Sequence, residues 1–500
     1  MFVRTITFLT LGALCLALSA SAFPGQQVFR HKGGIHSVPA HVVAENENEK
    51  PIRFDGHRVL TVMTGSEEEA DHVAKIVEEL YLDLWTGPID ISASSSSIDI
   101  RVPPALLSVF TSLLPPHLPV SVKIPDVQKL IDSTSNFILG KHEDDFFKAY
   151  HTYEDIVVFM KKLAKEYTFV ELVNVAKTYE GRDVIGIKFT GVNGTDAYMK
   201  KNGVELKKGV LFHGGQHARE WIGPVSHPST FVIALTAFHH PPHLIRLRYI
   251  LIEQATLTYM MHNLVTNYGK DDRITRAVDA VEWTLVPVFN VDGYIFSHTR
   301  NRMWRKNRQP NTLPFCSGTD TNRNWDYSFG KEGASNNPCS EAYHGHDPFS
   351  APETKSLSEY IAAQENLISY IDFHAFSQLC ESGFLIWVGM FPFGQCDELP
   401  PKRDFDDLTE ASQRATKALR SVHGTSFASG PICETIYEAS GSGVDWVYAR
   451  SGVKYSFAVE LRDKGEYGFV LPPEQIIPSG EEVLEAVLTL VEYIVEREEL

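Results

Sequence analysis

Positive charge is in short supply in this chain. Against 63 Asp and Glu stand 46 Lys and Arg, a net charge of −17 over 500 residues. That balance speaks against nucleic acid or an anionic membrane surface as the partner, and for a soluble, self-repelling exterior. Long apolar runs are also missing. Past the N-terminus no stretch approaches the ~20 apolar residues that a membrane span needs. There is no internal repeat, which sets aside solenoid and propeller architectures. Cysteine is scarce, with 6 in the whole chain. What the chain does have is apolar material, 43% of its residues, enough for a large core. Its length suits roughly two to four domains.

The first residues read as an address. Arg4 precedes an apolar run from Ile6 to Leu18, and Ala20-Ser21-Ala22 supplies small residues for cleavage. Residues 1–22 are thus expected to be a signal peptide and the protein to be secreted. Cys15 would leave with it, and an oxidising compartment favours pairing of the remaining cysteines, an odd number that leaves one thiol over. Asn193-Gly194-Thr195 is a glycosylation sequon between polar, Gly-containing flanks, so Asn193 is a candidate acceptor.

Residues 23–57 are polar and are expected to be poorly ordered. From 58 to 132 strand and helix patterns alternate, as in a small α/β open sandwich: Val59–Met63, Ile98–Val102 and Val120–Ile124 read as strands, Glu67–Leu82 and Pro104–Leu113 as helices. A polar linker over 133–145 follows. Residues 146–500 form one long α/β unit. Apolar strand-like runs (Val210–Phe212, Trp283–Phe289, Ile368–Phe373, Tyr455–Val459) alternate there with helical stretches, which predicts a mostly parallel or mixed sheet covered by helices.

Chemistry concentrates at the ends of those strands. His217-Ala218-Arg219-Glu220 follows the strand-like Lys208–Phe212, His374 follows Ser369–Phe373, and Glu460 follows Tyr455–Val459. A lone His-x-x-Glu pair is weak, and a lone histidine or glutamate at a strand end more often satisfies the core than carries chemistry. Together they are specific. His217, Glu220 and His374 would make a two-histidine, one-carboxylate Zn²⁺ site with an open position, and Glu460 would be the base beside it. A positive group, Arg302, Arg305 and Arg308, recurs every third residue, with Asn322-Arg323-Asn324-Trp325 beyond it. It is either a solvated basic face or a clamp for an anionic group, because guanidinium grips carboxylate bidentately.

With these residues in view the chain resembles the secreted zinc carboxypeptidases of the pancreatic A/B type, as procarboxypeptidases, from about Val59 to Glu496. Further motifs carry the resemblance: Tyr179-Glu180-Gly181-Arg182, Asn290-Val291-Asp292-Gly293-Tyr294, Ile436-Tyr437-Glu438-Ala439-Ser440-Gly441 and Glu460-Leu461-Arg462-Asp463. It implies the carboxypeptidase fold, a mixed sheet of about eight strands flanked by helices, behind an activation pro-domain. It implies one Zn²⁺ on His217, Glu220 and His374, with Asp320 orienting the first histidine. Arg305 would hold the oxyanion, Asn322 and Arg323 the terminal carboxylate, and Arg219 a further subsite. Tyr437 would cap the substrate and Glu460 would be the general base and acid. Cys316 and Cys339 match the common disulfide, Cys396 and Cys433 a second one found in some members, leaving Cys380 as the odd thiol. The implied partners are peptide or protein C-termini as substrate and an activating protease, with the enzyme a monomer. The position that carries aspartate in members choosing basic C-terminal residues looks like Val444. Small Ala458, with Ile432 and Ala439, continues an apolar lining, which implies preference for aromatic or large aliphatic C-terminal residues.

Two stretches depart from the family pattern. Val225–Gln254 intervenes before Ala255-Thr256-Leu257 resumes it, and a smaller excess lies near Cys380–Gly389; Ala375 and Phe376 stand where the family often has Ser and Tyr. Valine codons begin with GT and glutamine can be CAG, so Val225–Gln254 is expected to be a translated, fungal-type intron, and His239-His240-Pro241-Pro242-His243 would break the helix due there. Two other functions compete. A non-catalytic carboxypeptidase-like protein of extracellular or cell-wall organisation would lack Glu460. A zinc amidohydrolase would share the metal triad but not Arg305, Asn322, Arg323 and Tyr437 together.

Overall fold

The computed structural model describes residues 27–31, 34–38, 50–86, 96–135, 146–147, 150–191, 207–221, 255–313, 315–376, 387–425, 427–463 and 465–500. Residues 1–22, Asn193, Cys380, residues 136–145 and the segment Val225–Gln254 lie outside the described residues. In the stretch expected to be poorly ordered, β1 (Gln27–His31) and β2 (Gly34–Val38) pair antiparallel.

The N-terminal unit is a four-stranded antiparallel sheet in the order β4 (Asp83–Leu84), β5 (Ser96–Val102), β3 (Arg58–Thr64), β6 (Val120–Ile124). Period-two alternation in β3 and β5 sends Leu60, Val62, Ile98 and Ile100 into a core shared with α1 (Glu67–Glu79) and α2 (Leu107–Leu113). Ser66 caps α1, its hydroxyl accepting the Glu69 N–H. Val59, Trp85, Ile124, Val127 and Ile131 bury instead within the large core of the following unit, so the two units pack on one another. α3 (Val127–Ser135) carries this unit past the boundary expected at 132.

The large unit is built on eight strands in the order β13-β12-β14-β11-β9-β10-β8-β7. Four of these, β14 (Tyr455–Leu461), β11 (Leu367–Ala375), β9 (Gly209–Gly214) and β10 (Glu282–Val286), run parallel at the centre. β7 (Val170–Lys177) and β8 (Asp183–Phe189) close one side antiparallel. β12 (Trp387–Phe391) pairs antiparallel with β14 and parallel with β13 (Phe427–Pro431). The sheet is therefore mixed. Every residue of β9 and β10 is buried, as expected for strands covered on both faces. Helices flank it: Ile476–Arg497 packs on Lys402–His423 and on Ala255–Thr266, and Pro352–Ala362 packs on Gly443–Ser451. None of the described helices is long and apolar enough to cross a membrane.

Three of these strands end elsewhere than the sequence reading placed them. β10 stops at Val286 rather than Phe289, because Pro287 has no N–H to donate to the ladder. β11 and β14 run on through His374 and Glu460, which face each other as in-register partners instead of sitting in loops. The parallel strands β9, β11 and β14 end side by side, the edge where α/β sheets place their sites.

Candidate active site

Past β9 the backbone turns at Gly215, whose φ of +66° is a left-handed conformation open to glycine. The turn is pinned when Asn290 N–H donates to the Gly215 carbonyl at 3.0 Å and the Asn290 amide donates to the Gln216 carbonyl at 3.2 Å. His217 and Glu220 are thereby aimed at His374. Their inward atoms converge: His217 Nδ1 lies 2.7 Å from Glu220 Oε1, His374 Nδ1 lies 3.1 Å from Glu220 Oε2, and the two Nδ1 atoms are 3.2 Å apart. All three side chains are buried. Zinc–nitrogen bonds of about 2.0–2.1 Å set tetrahedrally would put ligand atoms about 3.3 Å apart. The donor set and its spacing fit a small dication.

Behind this cluster Asp320 is fully buried and accepts His217 Nε2 at 3.1 Å on one oxygen and Arg305 at 2.8 Å on the other. Burial opposes its charge, but Arg305 and His217 hold the carboxyl well below the usual range. Burial likewise works against Glu220, and His217 and His374 overcome it and keep that carboxyl low. Glu460 goes the other way. Burial, reinforced by Glu220 and Asp372, outweighs His374 and Arg305 and pushes it up to about 7. Two carboxylates lining one cavity thus have opposite leanings, one held charged and one poised to exchange a proton.

His217, Glu220, His374 and Glu460 line a cavity of about 670 Å³. Arg305, Asn322, Arg323 and Tyr437 line it, and Asn322 and Arg323 are themselves almost fully buried. Arg323 is held by donating to the Gly333 carbonyl at 2.8 Å. One part of the wall is apolar, formed by Met390, Ile432, Ile436, Ala439, Val444 and Ala458. Asp445, next to Val444, is not on this wall; its carboxylate accepts the Gly394 N–H at 3.0 Å. The disulfides Cys316–Cys339 and Cys396–Cys433 are both formed.

The arginine triplet splits. Only Arg305 reaches the cavity beside the converging ligand atoms. Arg302 is buried, stacked 3.6 Å from the Trp221 ring and donating to the Arg219 carbonyl at 2.9 Å. Arg308 stacks 3.6 Å from Phe296. A run at helix-like spacing neither forms a solvated face nor acts as one clamp here, because these two guanidinium planes are packed against aromatic rings.

Arg219 is occupied from outside its own unit. It donates to Asp83 at 2.7 Å, and Asp83 also accepts Arg101 at 2.9 Å. Trp85, two residues on, packs edge-on against Phe469 and Phe376 at centroid distances of 5.2 and 6.4 Å. The N-terminal unit therefore lies over the cavity mouth. Neither Asp83 nor Trp85 stood out in the sequence, since nothing in a two-residue strand marks it as a contact. Asp372 and His213 lie hidden inside strands β11 and β9.

The sequence model of the family described as "Zinc carboxypeptidase" matches residues 156–238 and 251–486, and that of the "Carboxypeptidase activation peptide" matches 60–134. The break at 239–250 falls inside Val225–Gln254. Carboxypeptidase A2 of Mus musculus is 36% identical over 450 residues, spanning 88% of this chain and 94% of that protein. Carboxypeptidase A1 of Homo sapiens is 35% identical over the same shares. The crystal structure of thrombin activatable fibrinolysis inhibitor superposes with a TM-score of 0.72 at 26% identity, covering 89% of this chain and all of that one. Carboxypeptidase A from Helicoverpa armigera shares the fold, with a TM-score of 0.71 at 22% identity and 89% and 99% coverage. The chain belongs to the zinc carboxypeptidase family, as a metallocarboxypeptidase zymogen that carries its activation peptide.

Proposed function

We propose that this protein is a secreted carboxypeptidase of A-type specificity, which removes aromatic or large aliphatic residues from peptide C-termini after its N-terminal unit is cut away. The convergence of His217, Glu220 and His374 beside Glu460, in a cavity with an apolar wall, is the observation that carries this reading. A zinc ion held by those three residues supplies Lewis acidity at the scissile carbonyl and at water. Asn322 and Arg323 grip the terminal carboxylate of the substrate, and Tyr437 closes over it. The side chain of the departing residue enters the wall formed by Ile432, Ala439, Val444 and Ala458. Arg305 holds the oxygen on which negative charge grows.

Glu460 takes a proton from the attacking water as the new C–O bond forms, then gives it to the leaving amine as the C–N bond breaks. A carboxyl pushed up toward 7 suits both halves of that exchange. Asp320 keeps His217 and Arg305 oriented. The proposed domain organisation is a signal peptide over 1–22, a pro-domain expected over 58–132 whose last helix runs on to Ser135, an activation linker in the rest of 133–145 and a catalytic unit from 146. Asn193 is the proposed glycosylation acceptor.

A non-catalytic carboxypeptidase-like role is the weaker reading, since Glu460 is retained and lies in register with His374. The test is hydrolysis of a blocked dipeptide ending in Phe by the protease-treated protein. Activity should vanish with a zinc chelator and return with added zinc; chelator-insensitive hydrolysis, or none, would contradict the proposal.

A further inference from the structure

Of the two histidines Asp320 supports only His217, and His374 has a buried carboxylate of its own. We propose that Asp372 positions His374 for zinc, and that His213 and Tyr370 hold Asp372 in place; this rests on the reading of His217, Glu220 and His374 as the zinc ligands. Asp372 Oδ2 accepts His374 Nε2 at 2.8 Å, on the ring edge opposite the Nδ1 that faces Glu220. Fixing Nε2 as the protonated nitrogen leaves Nδ1 as the lone pair, the tautomer a metal requires.

The arrangement follows from the strands. Tyr370, Asp372 and His374 alternate along β11 and so share one face. His213 on β9 is the in-register partner of Asp372. Its Nε2 meets the Tyr370 hydroxyl at 2.6 Å, which leaves Nδ1 facing Asp372 Oδ1 at 3.5 Å. Those last two atoms have no hydrogen-bond partner among the described residues. His213, Tyr370 and Asp372 are each completely buried. An isolated carboxylate there would be very costly, and the imidazoles of His374 and His213 on either side offset that cost. Tyr370 prevents the His213 ring from turning away, and that ring, packed against Oδ1, limits rotation of the carboxylate away from His374. The chain thus runs from the Tyr370 hydroxyl through His213 and Asp372 to the metal ligand.

The experiment measures zinc affinity of the metal-stripped full chain by competition with a chromophoric chelator, and the visible spectrum after loading with Co²⁺. Asp372→Asn keeps the volume and removes the charge. It should raise the zinc dissociation constant by about 10- to 100-fold and shift the Co²⁺ bands. Tyr370→Phe should move both readouts the same way by less. A residue that merely stabilises the fold would lower the melting temperature of the metal-free chain and leave both readouts unmoved. A dissociation constant within about twofold of the unaltered protein in Asp372→Asn would overturn the inference. If Asp372→Asn does not fold, the same result in Tyr370→Phe would overturn it. Absence of zinc binding by the unaltered chain would instead overturn the ligand assignment itself.

Discussion

Asp83 and Arg219 meet at 2.7 Å across the boundary between the two units, with the Phe469 ring 4.0 Å from the guanidinium. Both partners are buried, so the pair cannot be dismissed as a screened surface contact. Removing one partner of a buried pair costs about 3–5 kcal/mol. Asp83→Ala should therefore loosen the N-terminal unit and let the uncut chain hydrolyse a small peptide at least about tenfold faster than the unaltered uncut chain. Equal rates would contradict it. Burial opposes the Asp83 charge, but Arg219 and Arg101 hold its carboxyl below the ordinary value of 3.8. The contact is thus fully present above that value and is lost only as the pH falls below it. Neutral and mildly acidic conditions should leave the uncut chain latent.

Glu460→Gln should lower kcat by about 10²- to 10⁴-fold, the usual worth of a positioned acid–base, while zinc stays at one per chain. His217→Ala should lose both activity and metal; zinc retained at full stoichiometry would contradict the ligand assignment. The general base must be ionised; burial pushes its pKa up to about 7 in the metal-free site, and a bound dication would bring it below that. On the acid side of this lowered pKa kcat/KM should fall about tenfold per pH unit as the base takes up its proton. A profile flat from pH 8 to about 5 would count against Glu460.

Specificity should follow the apolar wall. Peptides ending in Phe or Tyr should exceed those ending in Lys or Arg by at least about a hundredfold in kcat/KM, because a charge buried without a partner costs several kcal/mol. Val444→Asp should narrow the gap by bringing a carboxylate to a wall where Asp445 does not reach. Comparable rates on Arg-ending and Phe-ending peptides with the unaltered enzyme would refute the assignment.

The segment Val225–Gln254 is proposed to be absent from the active protein. Peptide mapping decides the matter. A tryptic peptide running from Glu220 to Lys270 without that segment supports the retained intron. Peptides ending at Arg246 or Arg248 from active enzyme end the idea.

The strands were legible where period-two or continuous apolar runs were strong, as in Arg58–Thr64, Gly209–Gly214 and Tyr455–Leu461. Their ends were less so, because an in-register partner can extend a strand through polar residues, as His374 and Glu460 do for each other. The cluster His217, Glu220 and His374 could be anticipated because motif and strand end coincide, and Asp320 only through the family resemblance. Asp372 could not, since a carboxylate inside an apolar strand reads as an exception until its histidine partners are seen beside it. The arginine triplet misled for a related reason: linear spacing says nothing about Trp221 and Phe296, which come from elsewhere in the chain and claim Arg302 and Arg308.

The proposed reaction is a zinc-dependent cut made one residue from a free carboxylate. Mass spectra of two otherwise identical peptides ending in Phe, one with a free and one with an amidated C-terminus, test it after treatment with the activated enzyme. The free peptide should lose its terminal Phe, with the rest intact until another aromatic or large aliphatic residue is exposed, while the amidated one stays whole because Asn322 and Arg323 have no carboxylate to hold. Equal cleavage of both peptides, or cuts within the chain, would contradict the account.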